Sequence, residues 1–168
     1  MAIVKTVLIG LTAAIMTVLV HGKSDILDEK CMACLCEAST SCTTKPVCED
    51  AAITGGLFCG PFHMTREYWI DAGRPIIKGD LKTFQDAFKN CALDLHCSAT
   101  AVRNYFKRYA FNGRISPDCN GDGEVDCVDF AHIHKLGLNG CRRASFTETN
   151  FYKRFASCWK VVTEAKKF

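Results

Sequence analysis

Residues 118–129 carry a compact chemical pattern, Asp-Cys-Asn-Gly-Asp-Gly-Glu-Val-Asp-Cys-Val-Asp. Counted as a twelve-residue loop, oxygen-bearing side chains stand at positions 1, 3, 5, 9 and 12: Asp118, Asn120, Asp122, Asp126 and Asp129. Gly123 holds the sixth position, where the chain must turn sharply, and Glu124 the seventh, where a backbone carbonyl serves as ligand. Hard oxygen donors at this spacing are what Ca²⁺ requires, and the order is that of an EF-hand loop with Asp in place of Glu at the end. The expectation is a structural calcium ion of modest affinity, and no cofactor for catalysis. An acidic, disulfide-closed turn capping the following helix is the alternative.

Cysteine supplies the second chemistry. The chain has twelve, all after residue 30. Zinc is a poor reading, because Cys31-x-x-Cys34 has no second such pair and Cys34-x-Cys36 does not fit a tetrahedral site. An even count behind an export signal reads as a disulfide framework. The first residues supply that signal: Lys5, a short apolar run from Val7 to Val20, then a polar turn at His21-Gly22. The expectation is a signal peptide over 1–22 and one secreted domain over 23–168. Short separations suggest Cys36–Cys42, Cys48–Cys59, Cys91–Cys97 and Cys119–Cys127 as bridges.

The elements that position these groups are mainly helical. Leu27, Cys31, Cys34 and Ala38 form one apolar stripe, with Ser24 and Asp25 as candidate caps. Leu81, Phe84, Phe88 and Cys91 form another, and Ala99, Val102, Phe106 and Tyr109 a third behind Ser98. Cys127, Phe130, Ala131 and His134 make a stripe stopped by Gly137, and Phe151, Phe155 and Cys158 one more. Residues 43–64 break the helical period with Pro46 and Gly55-Gly56, and read as a short hairpin region. The fold class is therefore α+β: mostly helical, with a small β element, and disulfide-rich.

Charge excludes some functions. The net charge of +3 falls by one if Lys5 leaves with the leader, which is too little to imply nucleic-acid binding. Local basic pairs at Arg142-Arg143, Lys153-Arg154 and Lys166-Lys167 read as solvated surface. No Asn-x-Ser/Thr sequon occurs. No second apolar run is long enough for a membrane span once the leader is gone, and a monomer is expected.

Four segments together resemble the invertebrate-type (i-type) lysozymes, the destabilase-like family. They are Cys31-x-x-Cys34-x-Cys36 with Cys42; Cys59-Gly60-Pro61-Phe62 with Tyr68-Trp69-Ile70-Asp71-x-Gly73-Arg74-Pro75; Cys97-Ser98 leading to Val102-Arg103-Asn104-Tyr105-x-Lys107-Arg108-Tyr109; and Asp129-Phe130-Ala131-His132-Ile133-His134 with Asn139-Gly140-Cys141. The resemblance implies a lysozyme-like domain. Ala72 and Ala101 stand where the family usually has cysteines, as loss of one whole bridge would leave them.

The resemblance also implies hydrolysis of the β-1,4 bond of bacterial peptidoglycan, in antibacterial defence or digestion. That chemistry needs two carboxyl groups flanking the bond, one protonated and one ionised. The position of the family's acid holds Ser39, and that of the second carboxylate holds Ala51. A hydroxyl cannot serve as general acid near neutral pH. Asp50, Glu37 and Glu49 are the available substitutes. Glu37, two residues before Ser39, points about 200° away on a helix, and Asp50 sits in a loop two residues longer than the family's.

Isopeptidase activity, also credited to the family through a serine, finds no serine between residues 60 and 97. His134 matches the family's histidine but shares a stripe with Phe130. Tyr68, Trp69, Asn104, Tyr105 and His134 are the expected lining of the glycan cleft. Three readings stay open: a muramidase with relocated carboxylates, a catalytically silent glycan-binding protein, or a calcium-stabilised structural or signalling protein.

Overall fold

The computed structural model describes residues 27–50, 56–110 and 116–165. The expected signal peptide, the caps Ser24 and Asp25, Ala51 and Lys166-Lys167 lie outside the described residues. In chain order the elements are α1 (Glu29–Thr40), β1 (Cys48–Asp50), β2 (Leu57–Cys59), α2 (Arg66–Asp71), α3 (Ala87–Leu93), α4 (Leu95–Ala110), α5 (Cys127–Gly140), a 3₁₀ turn (Ala144–Glu148) and α6 (Asn150–Glu164). The mostly helical α+β reading holds, and the hairpin is a two-stranded antiparallel sheet pairing Cys48 with Cys59.

Helix α1 begins at Asp28, whose carboxylate accepts from the Cys31 N–H at 2.8 Å. Such a cap contributes about 1 kcal/mol. The helix buries Cys31, Cys34, Leu35 and Ala38, and packs most extensively on α6. Burial at spacings of three and four residues is what an amphipathic helix in contact with a core requires. The core continues through Phe106 on α4, Phe130 and Ile133 on α5, and Phe155 on α6, all essentially without solvent contact.

Six disulfides join all twelve cysteines. Three expected short bridges are present: Cys36–Cys42, Cys48–Cys59 and Cys91–Cys97. The expected Cys119–Cys127 bridge is not. Cys127 opens α5 facing inward and bonds Cys31 of α1, while Cys119 bonds Cys141 at the far end of α5. Cys34–Cys158 fastens α1 to α6. Side-chain direction on the buried helix faces decides these partners, and sequence separation does not. Each bridge contributes a few kcal/mol, roughly 2–4, by restricting the unfolded chain.

Two helix boundaries differ from expectation. Leu81 and Phe84 are exposed and precede α3, which starts only at Ala87; turns at 81–87 replace the first half of the expected helix. Ser98 lies inside α4, fully buried, and Asp94 takes the capping role by accepting from the Cys97 N–H at 2.7 Å. Gly137 does end the regular part of α5: its φ of 67° interrupts the helical geometry there. Ala72 and Ala101 are both buried, on α2's end and on α4, two helices in mutual contact.

Candidate functional site

A groove of about 490 Å³ opens between α1, the turn after β2, α2, α5 and the start of α6. Ser39, Tyr68, Tyr105 and His134 line it together, as the sequence led us to expect. Trp69 does not: it is 2 % exposed, and its indole N–H donates to the Pro75 carbonyl at 2.7 Å. It is a core residue, because the residue after Tyr68 on the short α2 faces inward towards Phe88. Asn104 is absent from the lining as well, since α4 presents Tyr105 on that side.

The floor is fixed by the segment after β2. Gly60 has a φ of 78°, and a side-chain carbon there would lie 1.7 Å from the Ala92 carbonyl oxygen. Only glycine permits that approach. His63 closes the turn in the left-handed region at φ 50°, its N–H donating to the Gly60 carbonyl at 2.9 Å, its ring stacked on Phe58. Thr40 on α1 donates to the Pro61 carbonyl at 2.8 Å. The neighbouring Phe62 carbonyl is thereby held towards His134.

His134 Nε2 lies 2.9 Å from that carbonyl, and Nδ1 lies 3.2 Å from the Tyr68 hydroxyl. A carbonyl only accepts, so Nε2 carries the proton and Nδ1 accepts from Tyr68. Burial lowers the His134 pKa from 6.5 to about 4, with Lys135 and His63 adding to the effect and the Phe62 bond opposing it. The ring is neutral and structural. Tyr68 stacks on Tyr105 with centroids 3.9 Å apart. Burial raises both phenol pKa values, that of Tyr105 to about 12, so both remain hydrogen-bond donors at neutral pH.

Ser39 stands in the groove without a function for its proton. Its hydroxyl donates to the Leu35 carbonyl one turn back at 2.8 Å, and its oxygen lies 3.4 Å from His134 Nε2, the nitrogen that bears hydrogen. Among the described residues no base is placed to activate it.

The candidate substitutes are scattered. Glu37 faces a separate depression with Ser157, Val161 and Val162 of α6, as its helical angle demands. Glu49 is exposed on β1, 3.9 Å from His63 Nε2. Asp50 is exposed, paired in the sheet with Leu57. The structure instead brings Glu67 and Asp71 to the groove, together with Lys135 and Arg154. Those carboxylates are four residues apart on α2 and so share one face of it. They form one wall and do not flank a bond from opposite sides. Their spacing around Tyr68 was the available signal. Arg154, read as solvated surface, is exposed yet turned to the groove.

In the 118–129 loop the acidic groups serve the backbone. Asp118 accepts from the N–H groups of Gly121 and Gly123, Asn120 from Asp122, and Asp122 from Glu124. Asp126 and Asp129 form a reciprocal capping box at the start of α5. Asp129 is fully buried and accepts from Cys119, Asn120 and Asp126. Burial raises its pKa, while those three backbone N–H groups and the neighbouring Asp126 charge act more weakly, the former lowering it. The residue types suit calcium, whereas the placement of Asp129 suits a cap. Among the described residues no three His, Cys, Asp or Glu side chains gather around one point.

Comparison with known proteins agrees with this architecture. The Destabilase family profile matches residues 28–158. A lysozyme of Meretrix lusoria is 32% identical over 120 residues, covering 71% of this chain and 82% of its own. An invertebrate-type lysozyme of Ruditapes philippinarum is 35% identical over 117 residues, covering 69% and 71%. Among solved structures, Meretrix lusoria lysozyme in complex with Aeromonas hydrophila PliI superposes with a TM-score of 0.59 at 30% identity, over 79% of this chain and 93% of that one. Tapes japonica lysozyme gives 0.52 at 31% identity, over 80% and 86%. With its six disulfides, its small sheet and this groove, the chain belongs to the Destabilase family and is a relative of the i-type lysozymes.

Proposed function

We propose that this protein is a secreted, monomeric, lysozyme-like protein that binds bacterial cell-wall glycan in the groove over Tyr68 and Tyr105, without muramidase turnover. The observation that carries this reading is Ser39. By the family resemblance it stands where the family's acid would, and its hydroxyl is committed to the Leu35 carbonyl. Glycosidic cleavage needs a proton donor at the leaving oxygen and a carboxylate across from it, and Glu37, Glu49 and Asp50 are dispersed. Tyr68, half-buried in the groove wall with the buried Tyr105 stacked behind it, gives the groove an aromatic surface of the kind sugar rings engage. Six disulfides suit an oxidising, extracellular setting, and a role in antibacterial defence or digestion follows from a wall ligand.

The same reading gives the 118–129 loop a calcium ion of modest affinity. Support comes from Asp118, Asn120 and Asp122 at the first, third and fifth positions, with the Glu124 carbonyl at the seventh. Asp129 stays with the helix start, and loss of its bidentate contribution limits the affinity.

Co-sedimentation with purified, insoluble peptidoglycan tests the binding. The oxidised protein is expected in the pellet, and replacement of Tyr68 by Ala is expected to release it. A protein left wholly in the supernatant contradicts the reading.

A further inference from the structure

One end of the groove is more positive than an uncharged sugar chain requires. Lys135 from α5 and Arg154 from α6 line the same hollow, and His63 joins them from the turn after β2. These groups feel one another. His63 has a lowered pKa, through burial first and then Lys135, with Arg154 adding to it and Glu49 opposing. Lys135 is lowered too, by burial and then by Arg154.

Glu49 lies 3.9 Å from His63, and Glu37 borders a separate hollow on the other side of Arg154. Among the described residues neither Lys135 nor Arg154 has a carboxylate within ion-pair distance. Glu67 and Asp71 line the α2 wall of the same groove, and neither lies within ion-pair distance of Lys135 or Arg154.

The arrangement is also held in place. Lys135 Nζ lies 5.8 Å from the centre of the Phe151 ring, a cation–π contact that fixes the amine over the groove wall. His63 is kept at its left-handed φ by the Gly60 turn. Arg154, His63 and Ser39 also border an adjoining hollow of about 380 Å³, whose far side carries Lys45 and Glu49. Like charges held together in a partly dehydrated groove destabilise one another, and an anion placed between them removes that repulsion while accepting charge-assisted hydrogen bonds.

We propose that Lys135 and Arg154 form an anion subsite of the groove, which selects acidic glycans by binding a carboxylate carried on the saccharide, as on the stem peptide of a muropeptide. This rests on the glycan-binding reading above. It adds a charge requirement that the stacked tyrosines cannot supply.

The test is calorimetric titration of the oxidised protein with a disaccharide–peptide muropeptide whose carboxylates are free, and with the same compound converted to amides. At low salt the acid form is expected to bind roughly tenfold more tightly, as one or two charge-assisted hydrogen bonds would give. The ratio is expected to fall towards one in K135Q/R154Q, to fall partway in each single variant, and to fall with added salt. Equal binding of the two forms, or a preference unchanged in all three variants, overturns the subsite and leaves glycan binding standing. Failure of both compounds to bind overturns the glycan reading and the subsite with it.

Discussion

Ser39 Oγ lies 3.4 Å from His134 Nε2, yet the pair is not a nucleophile and its base. The nitrogen that faces the serine carries the proton it donates to the Phe62 carbonyl, and the serine's own proton is directed to Leu35. A base must present a lone pair to the hydroxyl it activates. A serine-directed fluorophosphonate is therefore expected to leave Ser39 unlabelled, as read by intact-mass spectrometry. Ser39→Ala should change stability by no more than about 1 kcal/mol, since the lost bond is a local one to the preceding helical turn. A stoichiometric adduct on Ser39 would contradict this geometry.

His134 makes stability depend on pH. Its folded pKa of about 4 lies below the ordinary 6.5, so between those values the unfolded chain binds the proton more readily. Stability is complete above pH 6.5 and is lost as the pH falls towards about 4, by on the order of 3 kcal/mol at most. His63, also lowered, acts in the same sense. Asp129 acts oppositely: its raised pKa makes its contribution greater at low pH and smaller as pH rises. Urea unfolding across the histidine window should show a midpoint that falls with pH. The slope should flatten in His134→Gln.

Gly60 is where the floor of the groove is most tightly constrained. An alanine there would meet the Ala92 carbonyl at 1.7 Å, with φ at 78°. Backbone must move, at a cost of about 3 kcal/mol or more. Gly60→Ala is expected to lower Tm by roughly 10 °C, measured by circular dichroism. An unchanged Tm would mean that the turn and α3 are not in this contact.

Calcium should act on stability and leave glycan binding alone. With an affinity of roughly 10⁻⁴–10⁻³ M, ten millimolar ion adds about 1–3 kcal/mol and raises Tm by a few degrees. Asp122→Asn should remove most of that rise. A Tm that does not respond to calcium would leave the loop as the helix cap that Asp126 and Asp129 already build.

Much of this was legible in the sequence. Cys31, Cys34 and Ala38 at helical spacing gave α1, and Pro46 with the glycines that follow gave the hairpin. Tyr68, Tyr105 and His134 were expected in one cleft and do meet there. Other features depend on three-dimensional direction, which spacing does not encode. Cys119 is eight positions before Cys127, but the loop and α5 turn them to Cys141 and Cys31. Leu81 and Phe84 keep the helical interval, yet turn geometry before α3 leaves them in solvent. Trp69 adjoins Tyr68 in sequence but stands about 100° further round α2, which turns it into the core. Arg154 looked like surface because exposure and a groove lining are compatible, and only the neighbouring Lys135 and His63 give its position meaning.

The central claim is that the groove binds wall glycan without cutting it. Its most direct test is incubation of the mature, oxidised protein with purified peptidoglycan, with and without calcium, and mass spectrometry of the soluble products. No muropeptide above the buffer control is expected at any pH from acidic to neutral, from protein whose fold is intact. Release of muramic-acid-ended fragments, abolished by Glu67→Gln, Asp71→Asn, Asp50→Asn or Glu37→Gln, would contradict the account and reveal a rebuilt catalytic pair.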